Sequence, residues 1–507
     1  MTTVVAPERQ RVQGERPGAG GPQPGVPGRP HGRGRPHLPG RLQGPGRLHV
    51  PGRLRWGAAG CAVLAMLLGG LLAGVSTGAQ GSWNRITQHE APQVTDAGAL
   101  YQSLTDLDAQ AANQLMFGDD PKLATNLATA RQLYAKDRTD ADRDLQQATL
   151  DASGNAPAQV ALAKILDGMG SYQDLAARAL ELDTHANAAA GHPDPAALAD
   201  YRQATDLMRQ QLLPAAHSLV VANDQAFELS STDEHGALAT AAIWLTLLGG
   251  GLLLALVALQ VWLAVRFRRL VNPALAAASV LTVVLLSTAG SFLGAEGQDL
   301  TTARKDAYDS VVALTQARAT VSDSNAAESR YVLDAGRRDQ YEHDFETDTD
   351  QVLSLNGAEL GAYDTALAPA VAAVRADPSD IRFGGEYGRE FHNITFAGEG
   401  AAALRTLVAF QAYQADDRRI RAMVAAGQLE QAIAYCTSLA PGGSNADFNA
   451  HDAALQTLIG INERAYTDAS TAGAGRADSA LWLQLGCVAG VLLLLGAGVA
   501  PRLREFR

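Results

Sequence analysis

The side chains able to carry chemistry are few, and they are scattered. The 507 residues include 3 Cys and 11 His. Cys61 and Cys487 fall inside long apolar stretches, which leaves Cys436 as the one thiol in the polar parts. No disulfide framework can be built there, so packing must hold those parts; a Cys436 link between two chains is the remaining thiol chemistry. No two His stand at the spacing that would put two metal ligands on one helix face, and His192, beside Asp194 and Pro195, reads as a loop residue. There is no nucleophile elbow, phosphate-cradling glycine loop or paired-Cys motif. Acidic pairs such as Asp119-Asp120 and Asp416-Asp417 read as a helix cap and as solvated surface. The expectation is a protein with no catalytic residue, no metal and no cofactor, and therefore not an enzyme.

Arginine is the exception. Arg266, Arg268 and Arg269 precede Asn272 in a short basic loop, a candidate contact for a cytoplasmic partner. Arg382, Tyr387 and Arg389 lie in a stretch rich in Gly and aromatics, a candidate contact for an extracytoplasmic ligand or partner. Arg and aromatic side chains are enriched at interfaces, and Arg can grip a carboxylate with two parallel hydrogen bonds. The competing reading is a loop that packs its aromatics on itself.

Membrane spans must position these groups. Four apolar stretches, 56–79, 237–265, 273–295 and 481–500, reach the roughly 20 residues needed to cross a bilayer, and none has a charged core. A soluble core helix would show a polar face at helical spacing. Lys and Arg near span ends favour the cytoplasm. Arg53 and Arg55, then Arg266, Arg268 and Arg269, then Arg502 and Arg504 all flank spans. Both termini and the 266–272 loop are therefore expected in the cytoplasm of a multi-pass plasma-membrane protein, with 80–236 and 296–480 outside. The net charge of −12 is an average over basic inner and acidic outer segments. Residues 1–55, rich in Gly, Pro and Arg, cannot bury enough apolar surface to fold and read as a disordered basic tail. That tail is too long for a secretory n-region, so the first span reads as an anchor rather than a cleaved signal. The 501–507 tail and the inner loop are too short to fold into a domain. Any intracellular output must pass through another protein, and nucleic acid is not an expected partner.

Two segment pairs recur in the same order. Asp108–Asn113 matches Asp323–Glu328 just past spans one and three, and Asn223–Phe227 matches Asn462–Tyr466 ahead of spans two and four. Two bracketing matches suggest a duplicated span–domain–span unit. Leu198, Tyr201, Thr205, Met208, Leu212, Ala215, Leu219, Ala222, Ala226 and Leu229 alternate in steps of three and four, a bundle seam, with Pro214 placed to kink it. Breaks at Gly118–Pro121, Gly154–Pro157 and Gly191–Pro195 divide the first domain into four helices, with Asp before Pro as a start signal. The second domain has Ala454, Leu458, Ile461 and Ala465 as its seam and breaks near Gly336, Pro378 and Gly442. Its additional length, 381–400, is expected at the membrane-distal end. The fold class is all-α: four transmembrane helices and two extracytoplasmic four-helix bundles in tandem. Small-residue stripes Gly70-x-x-x-Gly74-x-x-x-Gly78 and Gly486-x-x-x-Gly490 suit either packing within the chain or a homodimer.

Helices that run from a span into a four-helix bundle resemble the periplasmic part of bacterial chemoreceptors, and Gly427–Ala432 resembles a short stretch of their third helix. The chain departs from that family in lacking a signalling hairpin after the last span. The loop Arg268-Arg269-Leu270-Val271-Asn272, between two sensor-like domains, resembles the four-span actinobacterial membrane proteins that act with a glutamine-binding lipoprotein and the soluble protein kinase G. This resemblance implies a relay of amino-acid availability, with a solute-binding lipoprotein outside and a serine/threonine kinase inside. The alternatives are a non-signalling envelope scaffold and a direct, chemoreceptor-like small-molecule sensor.

Overall fold

The computed structural model describes residues 50–267, 272–355 and 362–504. Residues 1–49 of the basic tail, and Arg268 and Arg269 of the inner loop, lie outside them. The described residues are helical throughout, with no β-strand among them. The helices are α1 (Val50–Arg85), α2 (Ala91–Phe117), α3 (Ala124–Asp151), α4 (Ala156–Ala186), α5 (Pro195–Leu207), α6 (Leu213–Phe267), α7 (Pro273–Thr301) and α8 (Asp309–Leu333). They continue as α9 (Arg338–Val352), α10 (Tyr363–Ala376), α11 (Gly385–Asn393), α12 (Glu399–Ala425), α13 (Leu429–Cys436) and α14 (Ser444–Arg504).

Single π-helical turns, Ile86–Glu90, Met208–Leu212 and Thr302–Tyr308, join α1 to α2, α5 to α6 and α7 to α8 without breaking the helical path. Four helical runs of 66, 72, 61 and 61 residues result, each with a window apolar enough to cross a membrane. At 1.5 Å per residue such runs reach roughly 90–110 Å, about three times a hydrocarbon core. Most of each run therefore stands clear of the membrane. The turn Met208–Leu212 is where Pro214 was expected to kink the seam. Proline has no N–H to give the carbonyl one turn back, and a local widening absorbs the loss.

Polar caps set the breaks. Asn155 accepts from the Ala158 amide, and Asp194 from those of Ala196 and Ala197. Pro157 and Pro195 occupy the first helical turns. The expected seam is buried from Tyr201 to Ala222, whereas Leu229 is exposed. Gly427 has φ +73° just past the end of α12, so the stretch likened to a chemoreceptor third helix begins in a helix-to-helix turn and runs into α13.

In the apolar layer α1 packs on α6 and α14, and α7 packs on the same two, closing a four-helix ring. Gln260 bonds across to the Leu275 carbonyl and Ser279, and Ser76 to Gln484. Methyl groups added at Gly490 or Gly249 would strike Leu281 or Leu286. At Gly70, Gly74 and Gly78 they would meet nothing within 4 Å. This stripe does not serve packing within the chain.

Beyond the spans the helices of the two halves pack against each other. The described residues from Val50 onward form one compact unit. Helices α2 and α8 pack along each other, and Gly98 permits their closest approach, since an added Cβ would lie 2.6 Å from Thr315 Cγ2. Every residue of α8 from Ala319 onward is buried, as is Asp334 after it. One core cluster joins Leu115 and Phe117 to Tyr331, Ile433 and Cys436, so the two halves share it. The stretch 381–400 is also not distal. Asn393 in α11 donates to the Lys305 and Asp306 carbonyls and to Ser310, at the span-proximal root of α8.

Candidate functional site

The segments that recur in the sequence are where the halves meet. Asp108 in α2 and Asp323 in α8 both bind Arg330, which is wholly buried: Nη2 lies 2.6 Å from Asp108 Oδ2 and 3.1 Å from Asp323 Oδ1. Tyr172 and Thr205 donate to the remaining lone pairs of Asp108 at 3.0 and 2.8 Å. Arg209, in the π turn leading into α6, approaches Asp323 at 3.5 Å and Asp348 at 3.8 Å and pairs with Asp344. Two guanidiniums thus face four carboxylates. Burial, followed by the charge of Asp323, pushes the Asp348 carboxyl well above the usual range, which favours a retained proton.

Further pairs cross the same seam. Arg202 of α5 grips Asp334 with two hydrogen bonds, and Arg337 does the same to Asp206. Within the second half, Arg318 of α8 holds Asp452 of α14 at 2.6 Å. Glu328, in the second copy of the Asp108 segment, is wholly buried and accepts from Cys436 Sγ at 3.3 Å and Ser444 Oγ at 3.0 Å. Burial, with Asp417 adding to it, lifts its carboxyl to about 8. Its counterpart Asn113 accepts from Ser329. All four span-bearing runs are tied into this polar layer.

The second pair of matching segments meets nearer the spans. Phe227 and Tyr466 pack on Tyr308 from two sides, with ring centroids 5.0 and 5.3 Å away. Tyr308 and Tyr466 donate to the carbonyls of Ala91 and Ile86, backbone groups of the π turn between α1 and α2 and its exit. The Ile86 carbonyl also accepts from the Ala91 amide, so the Tyr466 hydroxyl adds a second donor there. Trp83 bonds Glu296 just below, joining α1 to α7.

The residues singled out from sequence fare unevenly. Arg266 is exposed at the end of α6. Asn272 caps α7 through the Ala274 and Leu275 amides and donates to the Gly498 carbonyl at 2.9 Å. Both functional ends of that side chain are engaged, so Asn272 positions the spans rather than offering a partner contact. Arg382 and Arg389 are exposed and paired with Asp380 and Glu386. Tyr387 is 1 % exposed and meets His451 Nε2 at 2.5 Å. It is a core residue, because Phe410 and His451 close over its ring, and it cannot serve as a surface contact. Asp416 and Asp417 are also buried, bonded to Tyr435 and Arg421, where solvated surface was expected. Cys436 is buried against Glu328 and out of reach of a second chain.

Fold and site together define a membrane protein whose span-continuous helices rise into one charge-tied helical body. The family model described as an actinobacterial sensor domain matches residues 82–231, the segment between the first two spans. No curated protein and no solved structure matches the chain. The match supports a sensor role and leaves the second half, α8 included, without a counterpart.

Proposed function

We propose that the protein relays an extracytoplasmic signal, a nutrient amino acid or the binding protein that carries one, to a cytoplasmic partner of the serine/threonine kinase class. The observation that carries this reading is the cluster around Arg330. It ties α2, α8 and the root of α6, three helices that each run on into a different span. A ligand that shifts one of these helices must strain or repartner the cluster, and the shift passes along rigid helix toward the inner face. In this reading both termini and the Arg266–Asn272 loop are cytoplasmic, and the exposed Arg266 with Arg268 and Arg269 presents the signal. The chain itself has no catalytic role, and the kinase supplies the chemistry.

The test is to purify the tagged full-length protein from its own membranes and identify what accompanies it. A solute-binding lipoprotein and a soluble kinase are expected together. Arg268→Gln with Arg269→Gln should lose the kinase and keep the lipoprotein. Recovery of envelope-assembly proteins alone would replace the relay with a scaffold. Direct sensing of a small molecule is favoured by one observation, an open cleft of about 700 Å³ between α6 and α8.

A further inference from the structure

The cleft has a volume in the range of small-molecule sites. His217 and Asp224 of α6, Gln316 of α8, and Glu386, Arg389 and Glu390 of α11 line it. Most of its charges are matched. Asp224 and Asp309 are held by Arg304, and Glu386 by Arg389. Glu390 has no cation. It is 1 % exposed, and neither of its oxygens has a well-formed hydrogen bond.

The groups beside it are part donor and part acceptor. Ser310 and Asn462 lie beside Glu390 and favour its charge, while Glu399 opposes it. Glu399 spends one oxygen on the Thr395 and Phe396 amides, and its other oxygen is buried without a partner. Asn462 is wholly buried; its amide nitrogen donates to the Leu458 carbonyl, and its oxygen has no donor. The second oxygen of Glu386, one turn before Glu390, is in the same position. Burial lifts the Glu390 carboxyl to about 7. Unsatisfied buried acceptors are costly, and several together call for a group that brings several donors.

The geometry points to this cleft as a binding site for the primary ammonium group of a small organic amine, with Glu390 as the anchoring carboxylate. An ammonium carries three N–H donors and one positive charge, which is what Glu390, the carboxylate of the cleft lining without a cation, lacks. The open side of the cleft leaves room for the rest of such a molecule. This inference rests on the sensor reading above and names the class of its ligand.

Isothermal titration calorimetry on the full-length protein in lipid nanodiscs tests it, with 1,4-diaminobutane against the isosteric 1,4-butanediol. The diamine should bind and the diol should not. Glu390→Gln should weaken the diamine at least tenfold, and Lys136→Gln, on α3 and outside the cleft, should leave it unchanged. No heat with the diamine, equal binding of the diol, or diamine binding unaltered in a folded Glu390→Gln protein would overturn the assignment. In that event Glu390 is a protonated acid bonded to Glu399 or Asn462. If Glu390→Gln does not fold, the diamine–diol pair on the native chain still decides. Failure here with lipoprotein and kinase still captured removes the amine site and keeps the relay. Diamine binding with neither partner captured removes the relay and keeps the site.

Discussion

At the scale of single residues, the structure rests on charges placed where water does not reach. Arg330 is the extreme case, and removing it leaves Asp108 buried without a cation and Asp323 with Arg209 alone. Arg330→Met should therefore cost about 3–5 kcal/mol, read from denaturant unfolding of the purified protein. Arg330→Met combined with Asp108→Asn should recover part of that loss, since fewer charges remain stranded. Glu328 gives a second test. Its carboxyl sits near 8 when folded against an ordinary value of 4.5, so the folded chain holds the proton more tightly. Its contribution is then complete below about pH 4.5 and is lost as pH rises toward 8. The melting temperature should fall across that window, and Glu328→Gln should flatten the fall; an unchanged slope would remove Glu328 as its source. Neither role was legible in the sequence. Asp108 and Asp323 stood out only as the first letters of matching segments. Arg330 follows Ala326-Ala327-Glu328-Ser329, where small and polar residues alternate without an apolar stripe. Such a helix reads as solvated, yet small side chains on every side also let neighbours close in from every side.

Individual elements follow local rules, and these were readable. Apolar runs, Asp-Pro and Asn-x-Pro starts and glycine stops mark the spans and most breaks, because caps and proline act within a few residues. Asp194→Ala should cost about 1 kcal/mol, as the Ala196 and Ala197 amides lose their acceptor. The short turn between α12 and α13 escaped notice. So did the π turns at Ile86–Glu90 and Thr302–Tyr308, since no residue type prescribes one. Their closeness to the spans depends on fit at this level. An added Cβ at Gly473 would lie 2.4 Å from the Trp83 indole, so Gly473→Ala should cost about 1–3 kcal/mol and disturb the Trp83–Glu296 contact. Quenching of Trp83 fluorescence offers a local readout, provided the other tryptophans are replaced.

For the whole molecule, the sequence divides where the structure joins. Domain limits follow the spans along the chain, but contact between α2 and α8 is a property of surfaces, and sequence distance hides it. Their pairing makes one body of two halves and places the ionic cluster between them. The most direct test uses Gly98→Cys with Thr315→Cys, with Cys61, Cys436 and Cys487 replaced by Ser. The Cβ positions lie 3.7 Å apart, within disulfide range. After mild oxidation in membranes and cleavage of the chain between its halves, one joined band is predicted on a non-reducing gel, separating on reduction. Two separate bands, with both thiols free to react with maleimide, would mean that α2 and α8 do not pair in the membrane and that the halves stand apart.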